Sequence, residues 1–347
     1  MGARTAPEVP IRELVALACR APSVHNSQPW LWVVDADSVS LFADHRRQLE
    51  YADPDGRDLV LSCGAALHHL KVVAAAAGWH ANIRRLPNPS NDSQLATVTF
   101  DAHAVDERAL RTVEVLRRRR TDRRTTRPTP VAREALEPLL VAAGPFGVVA
   151  FAVVSASARS SVFGLLAEAD ATQRRDPAYL SEIAAWVDRG PGEGIPSTNL
   201  VQHPPAVGDR GASTRFPPGL LADTQPGAEE EHRNALITLC TSSDDVGSRI
   251  RAGEALSAIL LTGEHLGLSL VPLSQATEVD RVRMLLQDEL LEDAAHPQVL
   301  VRVGWPVGNR EPVPLTPRRP VTDVLCEHDA VPESLGPYEP PPNLGRH

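Results

Sequence analysis

The ten residues Ala21-Pro-Ser-Val-His-Asn-Ser-Gln-Pro-Trp30 decide how the rest of the chain is read. Before them, from Ile11 to Arg20, Leu14, Val15, Leu17 and Ala18 recur at helical spacing, and Pro22 requires that helix to stop. After them, Trp30 to Val34 and Val39 to Ala43 read as a β-hairpin around Asp35-Ala-Asp-Ser38. The junction therefore carries Ser23, Asn26 and Gln28 as small donors and acceptors, and Pro29 sets the entry to the strand. A polar turn between helix and strand suits recognition of the polar edge of a planar ring. A plain helix-capping loop would use the same residues.

Asp53-Pro-Asp-Gly56 then marks a turn and cap, after which Arg57 to Ala77 reads as a long apolar helix closed by Gly78. Strands follow at His80 to Leu86 and Leu95 to Phe100. From there the pattern starts again. Helices are expected at Glu107 to Arg120 and Arg133 to Ala143, a strand at Val148 to Val154, a long apolar helix at Ile250 to His265, and strands at Leu268 to Leu273 and Val299 to Val303. One shift lays Gly253-Glu-Ala-Leu256 on Gly64-Ala-Ala-Leu67 and Gly267 on Gly78. A remote internal duplication accounts for both matches, although any two αβ units with glycine-capped helices share such features.

Composition bounds the function. The 347 residues are 42% hydrophobic and 23% charged, a profile that excludes overall disorder. The net charge of −9 disfavours a nucleic-acid or anionic-membrane partner. No apolar run approaching ~18–20 residues is read, so no transmembrane helix is expected, and no secretory h-region is read at the start, so a cytoplasmic location is expected. Cys19, Cys63, Cys240 and Cys326 are too scattered for a zinc site or a disulfide framework. Between the repeated patterns, residues 186–233 are rich in Pro and Gly, with Gly190-Pro-Gly-Glu-Gly-Ile-Pro196 and His203-Pro-Pro205, and scattered Trp186, Leu200, Phe216 and Leu220. Such a stretch is read as a lid or binding loop. The tail from 306 to 347, ending in Pro340-Pro-Pro, is read as an extended arm.

A second segment stands out for charge. Arg117-Arg-Arg-Arg-Thr-Asp-Arg-Arg-Thr-Thr-Arg127 has seven arginines in eleven positions around Thr121, and Arg forks with a hydroxyl suit a phosphate monoester. Lys71 is the only lysine, so the wider preference for Arg reflects coding bias as readily as chemistry. No aromatic residue interleaves for base stacking, and a solvated helix end would look similar. Searches for a phosphate-binding P-loop, a dinucleotide fingerprint, a zinc-binding histidine pair and a serine nucleophile elbow return nothing; His68 and His69 are adjacent on a helix and cannot face one metal together.

Together the two segments resemble the nitroreductase family of flavin enzymes, and the resemblance covers nearly the whole chain. Pro22, Ser23, Val24, His25 and Asn26 match the family motif that contacts the flavin ring. Arg119, Arg120, Thr121 and Arg123 fall on the motif that holds the FMN phosphate, with Thr in place of Ser. Pro272, Leu273, Ser274 and Gln275 resemble the turn whose backbone donors face flavin N5, with Ser274-Gln275 where Glu-Gly is common. Arg318 and Arg319 resemble a C-terminal basic pair that also grips the phosphate. The length and the Pro/Gly-rich insertion look most like the duplicated Acg-like group.

The resemblance implies an α+β nitroreductase fold with two fused halves, 1–110 with the ring loop and 111–347 with the phosphate arginines, forming a pseudo-dimer. Each half keeps a complementary share of a site, so one FMN per chain is expected between them, the second pseudo-symmetric site being lost. The implied chemistry is hydride transfer from NAD(P)H through flavin N5 to nitro or quinone-like acceptors, with no side-chain catalyst and no metal. The alternative is a protein that sequesters FMN under a closed lid. As partners the reading expects flavin and an acceptor, no nucleic acid, no membrane, and a monomer acting as pseudo-dimer, with a homodimer left open.

Overall fold

The computed structural model describes residues 9–36, 38–202, 215–223, 234–308 and 310–327. His203-Pro-Pro205, the rest of 203–214 and 224–233 in the expected lid, and 328–347 in the expected tail lie outside the described residues.

Helix α1 (Ile11–Ala18) buries Leu14, Val15 and Ala18 on one face, as its spacing requires. Strands β1 (Trp30–Asp35) and β2 (Ser38–Ala43) pair antiparallel, Trp30 opposite Ala43 and Asp35 opposite Ser38, with Trp30 and Trp32 fully buried. Helix α2 (Arg57–Ala76), β3 (Trp79–Arg85) and β4 (Gln94–Ala102) follow. Helix α3 (Glu107–Arg118) is started by Asp106, whose carboxylate accepts from the amides of Arg108 and Ala109. Beyond it come α4 (Arg133–Ala143), β5 (Val149–Val153), α5 (Ala156–Gln173), α6 (Pro177–Ala185), β6 (Ala235–Thr241), α7 (Val246–His265), β7 (Ser269–Leu273), α8 (Gln275–Glu278), α9 (Asp280–Leu291), β8 (His296–Gly304) and β9 (Leu325–Glu327).

The strands form two sheets, ordered β3-β4-β2-β1-β9 and β5-β6-β8-β7. Counting strands from the start of each half, both sheets read third, fourth, second, first when the second is taken from β7, with β9 added to the first. Each half also carries its long helix, α2 or α7, between its second and third strands. The likeness extends to detail: the register slips between Leu41 and Phe42 in one second strand and between Leu239 and Cys240 in the other.

The long helices cross at the glycines that the sequence pairs. A Cβ on Gly64 would overlap the Ile250 carbonyl oxygen, and one on Gly253 would overlap that of Leu61, so only glycine permits this backbone approach. One turn along, His68 Nδ1 and Ser257 Oγ, which occupy matching positions under the same shift, bond at 2.8 Å. The two apolar cores meet here, Ile250 and Leu261 joining the first and Leu61 joining the second.

Several expectations need correction. Helix α2 is in fact long and apolar enough to cross a membrane, with a mean hydropathy of 1.5, but 78% of that stretch is buried inside the protein. Val113, Val115 and Leu116 of α3 pack in the first core, so a division at residue 110 cuts through an element that belongs with the first sheet. Residues 186–195 are not a free cover. Trp186 packs with Leu49, Ala52, Tyr179 and Ile183, and Val187 bridges to Ile195. From the tail, Val313 is buried, and β9 lies parallel to β1, with Trp32 opposite Leu325. The four cysteines are free thiols.

Candidate functional site

The segment after α1 is held in an unusual backbone. His25, Asn26 and Gln28 have φ of 48°, 57° and 50°, a region that costs a non-glycine residue about 1 kcal/mol or more. Hydrogen bonds offset the cost. Ser23 Oγ accepts from the Gln28 amide at 3.0 Å, and the Val24 amide donates to Ser62 Oγ at 3.1 Å, which in turn donates to the Asp58 carbonyl. Gln28 Nε2 donates to the Gly192 carbonyl at 2.7 Å and Gln28 Oε1 accepts from the Arg319 amide at 2.9 Å. Asn26 Nδ2 donates to the carbonyls of Gly194 and Pro317. The loop is thus fixed by α2, by residues 192–194 and by the tail together.

Beside it opens a cleft of about 1180 Å³, counting its solvent-filled mouth, built from both halves. Pro22, Ser23, Val24 and His25 form one wall, Thr121 and Arg123 another, and Pro272, Leu273 and Ser274 at the end of β7 a third. These expected residues, separated by up to 252 positions, are therefore brought together. His25 is buried, and neither ring nitrogen is bonded among the described residues; burial, then Arg215 and Arg123, holds its pKa well below 6.5, so the imidazole is neutral. Its ring faces Phe216 at 5.1 Å between centroids rather than solvent. The Arg123 guanidinium lies over the Phe216 ring, 5.1 Å from its centroid. Burial and the charges of Arg215 and Arg302 pull Arg123 down to about 10, still cationic at neutral pH.

Not every expected residue lines the cleft. Asn26 is turned toward Gly194 and Pro317. Arg318 is corrected outright as a phosphate ligand: its guanidinium donates to the carbonyls of Cys19, Arg20, Ala21, Thr316 and Pro317, which uses all five N–H groups to tie off the end of α1. Arg319 likewise supports the loop from behind, donating to the carbonyls of Gln28 and Asp323.

Arg119 and Arg120 lie outside the cleft wall but are chemically unlike Arg318. Arg119 is buried, and its Nε and Nη1 have no partner among the described residues; the Nε atoms of Arg120 and Arg20 are also buried and unpaired. Burial, opposed by Glu264 and reinforced by Arg20 and Arg120, lowers Arg119 to about 10. Unpaired guanidinium donors crowded in a protein interior are costly unless an anion completes them. Arg119 follows the last residue of α3 and stands two residues before Thr121 of the cleft wall. The donor set thus fits a ligand that has a planar body and a phosphate, such as FMN.

Sequence reasoning missed several lining residues. Asp58 and Ser62 come from the first turns of α2, Arg302 from β8 and Arg215 from the Pro/Gly-rich stretch, whereas Gln275 of the expected turn and Phe216 of the expected lid do line the cleft. Arg302 had a visible signal, a lone charge in the apolar run Val299-Leu-Val-Arg-Val303. Arg215 is held cationic against the cost of burial by Glu278 and Tyr179.

The counterpart position across the helix crossing is filled. Arg85, which the shift pairs with Ser274, bonds both oxygens of the fully buried Glu254 at 2.8 Å. Leu86 and Arg251 close around Gly247, and Phe146 of the Gly144-Pro-Phe-Gly147 turn meets the His68 ring edge-on at 5.3 Å.

Comparison with known proteins gives the family. A Mycobacterium tuberculosis protein provisionally named an NAD(P)H nitroreductase is 37% identical over 318 residues, covering 91% of this chain and 90% of its own. The Acg protein of the same organism, given the same provisional activity, is 36% identical over 319 residues, 91% and 95% of the two chains. The chain belongs to the Acg-like nitroreductases. Among solved structures this Acg-like chain resembles an FMN-bound nitroreductase of Bacteroides fragilis, 14% identical over 58% of this chain and 90% of that one, with a TM-score of 0.37. It also resembles one from Desulfovibrio desulfuricans in complex with FMN, 17% identical over 62% and 96%, with a TM-score of 0.36. No family model matches the chain.

Proposed function

We infer that this Acg-like chain binds one FMN between its halves and reduces nitro or quinone-like acceptors with NAD(P)H. The observation that carries the reading is a cleft to which one half gives Pro22 to His25 and the other gives Thr121, Arg123 and the end of β7, in a chain that also buries arginines unpaired among the described residues. The provisional names of its curated relatives support the nicotinamide-linked activity. Duplication of an ancestral half accounts for the matched topology and for the filled counterpart position.

A bound flavin would supply hydride acceptance from NAD(P)H and hydride donation to the acceptor. The chain's own residues do the rest. Arg119, with Arg20 and Arg120, would hold the phosphate; the loop at 22–25 and the turn at 272–274 would hold the ring; Arg123 would stabilise negative charge on it. Neutral His25 can donate or accept one hydrogen bond without adding charge.

A second reading, flavin storage, has its own support: Arg215, Phe216 and Pro217 already lie on the cleft, with Phe216 between His25 and Arg123. Purified protein is expected to show flavin absorption bands, and NADPH consumption with a nitroaromatic or quinone should exceed that of free FMN. Turnover no faster than free FMN would reject the reductase in favour of storage. If Phe216→Ala then restored turnover, closure by this segment would be its cause.

A further inference from the structure

Asp58, at the second residue of α2, reaches the cleft and yet is 5% exposed, and its Oδ2 has no hydrogen-bond partner among the described residues. The groups packed around it come from four segments. Asp53, in the turn before α2, accepts from the amides of Asp58 and Leu59 at 3.1 and 2.7 Å and adds a second acid group. Arg57 on α2 is drawn away to Asp244, at 2.5 Å. From α8, Glu278 faces Asp58 while accepting from Ser274 Oγ and Gln173 Nε2. Arg215 donates to Glu278 and Tyr179. Glu278 is thus furnished with donors suited to a carboxylate, whereas Asp58, within side-chain hydrogen-bond reach of Glu278, has no donor to its Oδ2 among the described residues.

We propose that Asp58 carries a proton into the cleft and gives it to the acceptor as that acceptor is reduced. This rests on the reductase reading above. Burial, then the charge of Glu278, with Arg215 opposing, raises Asp58 to about 7, so near neutral pH it both holds and releases a proton. A quinone that receives a hydride, whose two electrons come from NAD(P)H, is left as an anion needing one proton. The O–H bond of Asp58 breaks, the proton bonds to the quinone oxygen, and the electron pair stays on Asp58 as carboxylate. Water returns the proton before the next turnover. His25 is a poor substitute because its imidazole is held neutral at this pH.

The test uses flavin-loaded protein and Asp58→Asn, which copies the shape of the protonated acid without its transferable proton. Turnover of a quinone in the wild type should rise as pH falls through about 7. Asp58→Asn should lose this dependence, with a kcat lower by about tenfold or more at pH 6, while flavin content stays unchanged. Infrared difference spectra, wild type minus Asp58→Asn, should show a protonated carboxyl that titrates near pH 7 whether or not the protein turns over. Glu278→Gln should move that midpoint toward the ordinary carboxylate range. A wild-type pH profile in Asp58→Asn, or no carboxyl titrating near 7, overturns the proposal. Absence of flavin or turnover alongside a titrating Asp58 instead rejects the reductase reading, and with it the proton's use, while leaving the titration observed.

Discussion

Arg119 and Arg318 were indistinguishable as basic residues in the sequence, and their hydrogen bonds separate them. Arg318 spends every donor on backbone carbonyls, so Arg318→Ala should lower the melting temperature by uncapping α1, a cost of about 1–3 kcal/mol for the carbonyls left unpaired. Arg119 has donors to spare, so Arg119→Ala should instead weaken flavin retention by about 1.5–3 kcal/mol for each charged hydrogen bond lost. Flavin fluorescence titration read beside thermal melts checks both. An Arg119→Ala protein that keeps full flavin content contradicts the phosphate assignment. The strained loop is similar in kind: His25, Asn26 and Gln28 hold left-handed backbone because segments 164 to 291 residues away bond to it, a constraint that no local pattern could have announced.

Helices α2 and α7 carry the junction between halves, and the glycine pair there makes a sharp prediction. Gly64→Ala would press a methyl group into the Ile250 carbonyl, where neither backbone can yield, and should destabilise the protein by about 1–3 kcal/mol in urea unfolding. His68 on the same helix gives a pH effect whose sign can be worked out. Burial holds it at about 3 in the folded chain, against about 6.5 when unfolded, so between these values the unfolded state binds more protons. Stability from His68 is therefore full above pH 6.5 and is lost as pH falls toward 3. Asp58 acts oppositely, favouring the fold at low pH and losing that contribution as pH rises to about 7. His68→Gln should reduce the acid loss by up to about 1.4 kcal/mol per pH unit across that window. Helices α1, α3 and α4, and the long apolar runs of α2 and α7 closed by Gly78 and Gly267, were legible in the sequence. Strand β6, a continuous apolar run, and helix α5, whose buried residues are interspersed with Ser and Ala, have no single period to read.

For the molecule as a whole, the shared core between α2 and α7 ties the two sheets into one unfolding unit. Trp30 and Trp32 report the first core and Trp305 packs against the second, so tryptophan fluorescence and far-UV dichroism should follow one coincident denaturant transition. Two separated transitions would show that the halves stand alone. What the sequence could convey at this scale was the distribution of motifs between halves. It could not convey that the Arg/Phe pair at 215–216 reaches the ring loop, or that the arginines of the tail serve the backbone, because both depend on where distant segments dock.

The parallel pairing of β9 with β1 reaches beyond the finished structure to its synthesis. Strand β1 (Trp30–Asp35) is synthesised long before the strand that covers its outer edge, which comes only at 325–327. Throughout translation of the intervening chain, the first sheet has an open, apolar-flanked edge that can pair with another nascent copy. The last few strand residues are therefore also a folding latch: truncation before Leu325 should leave a protein that aggregates during expression even where its cleft is intact.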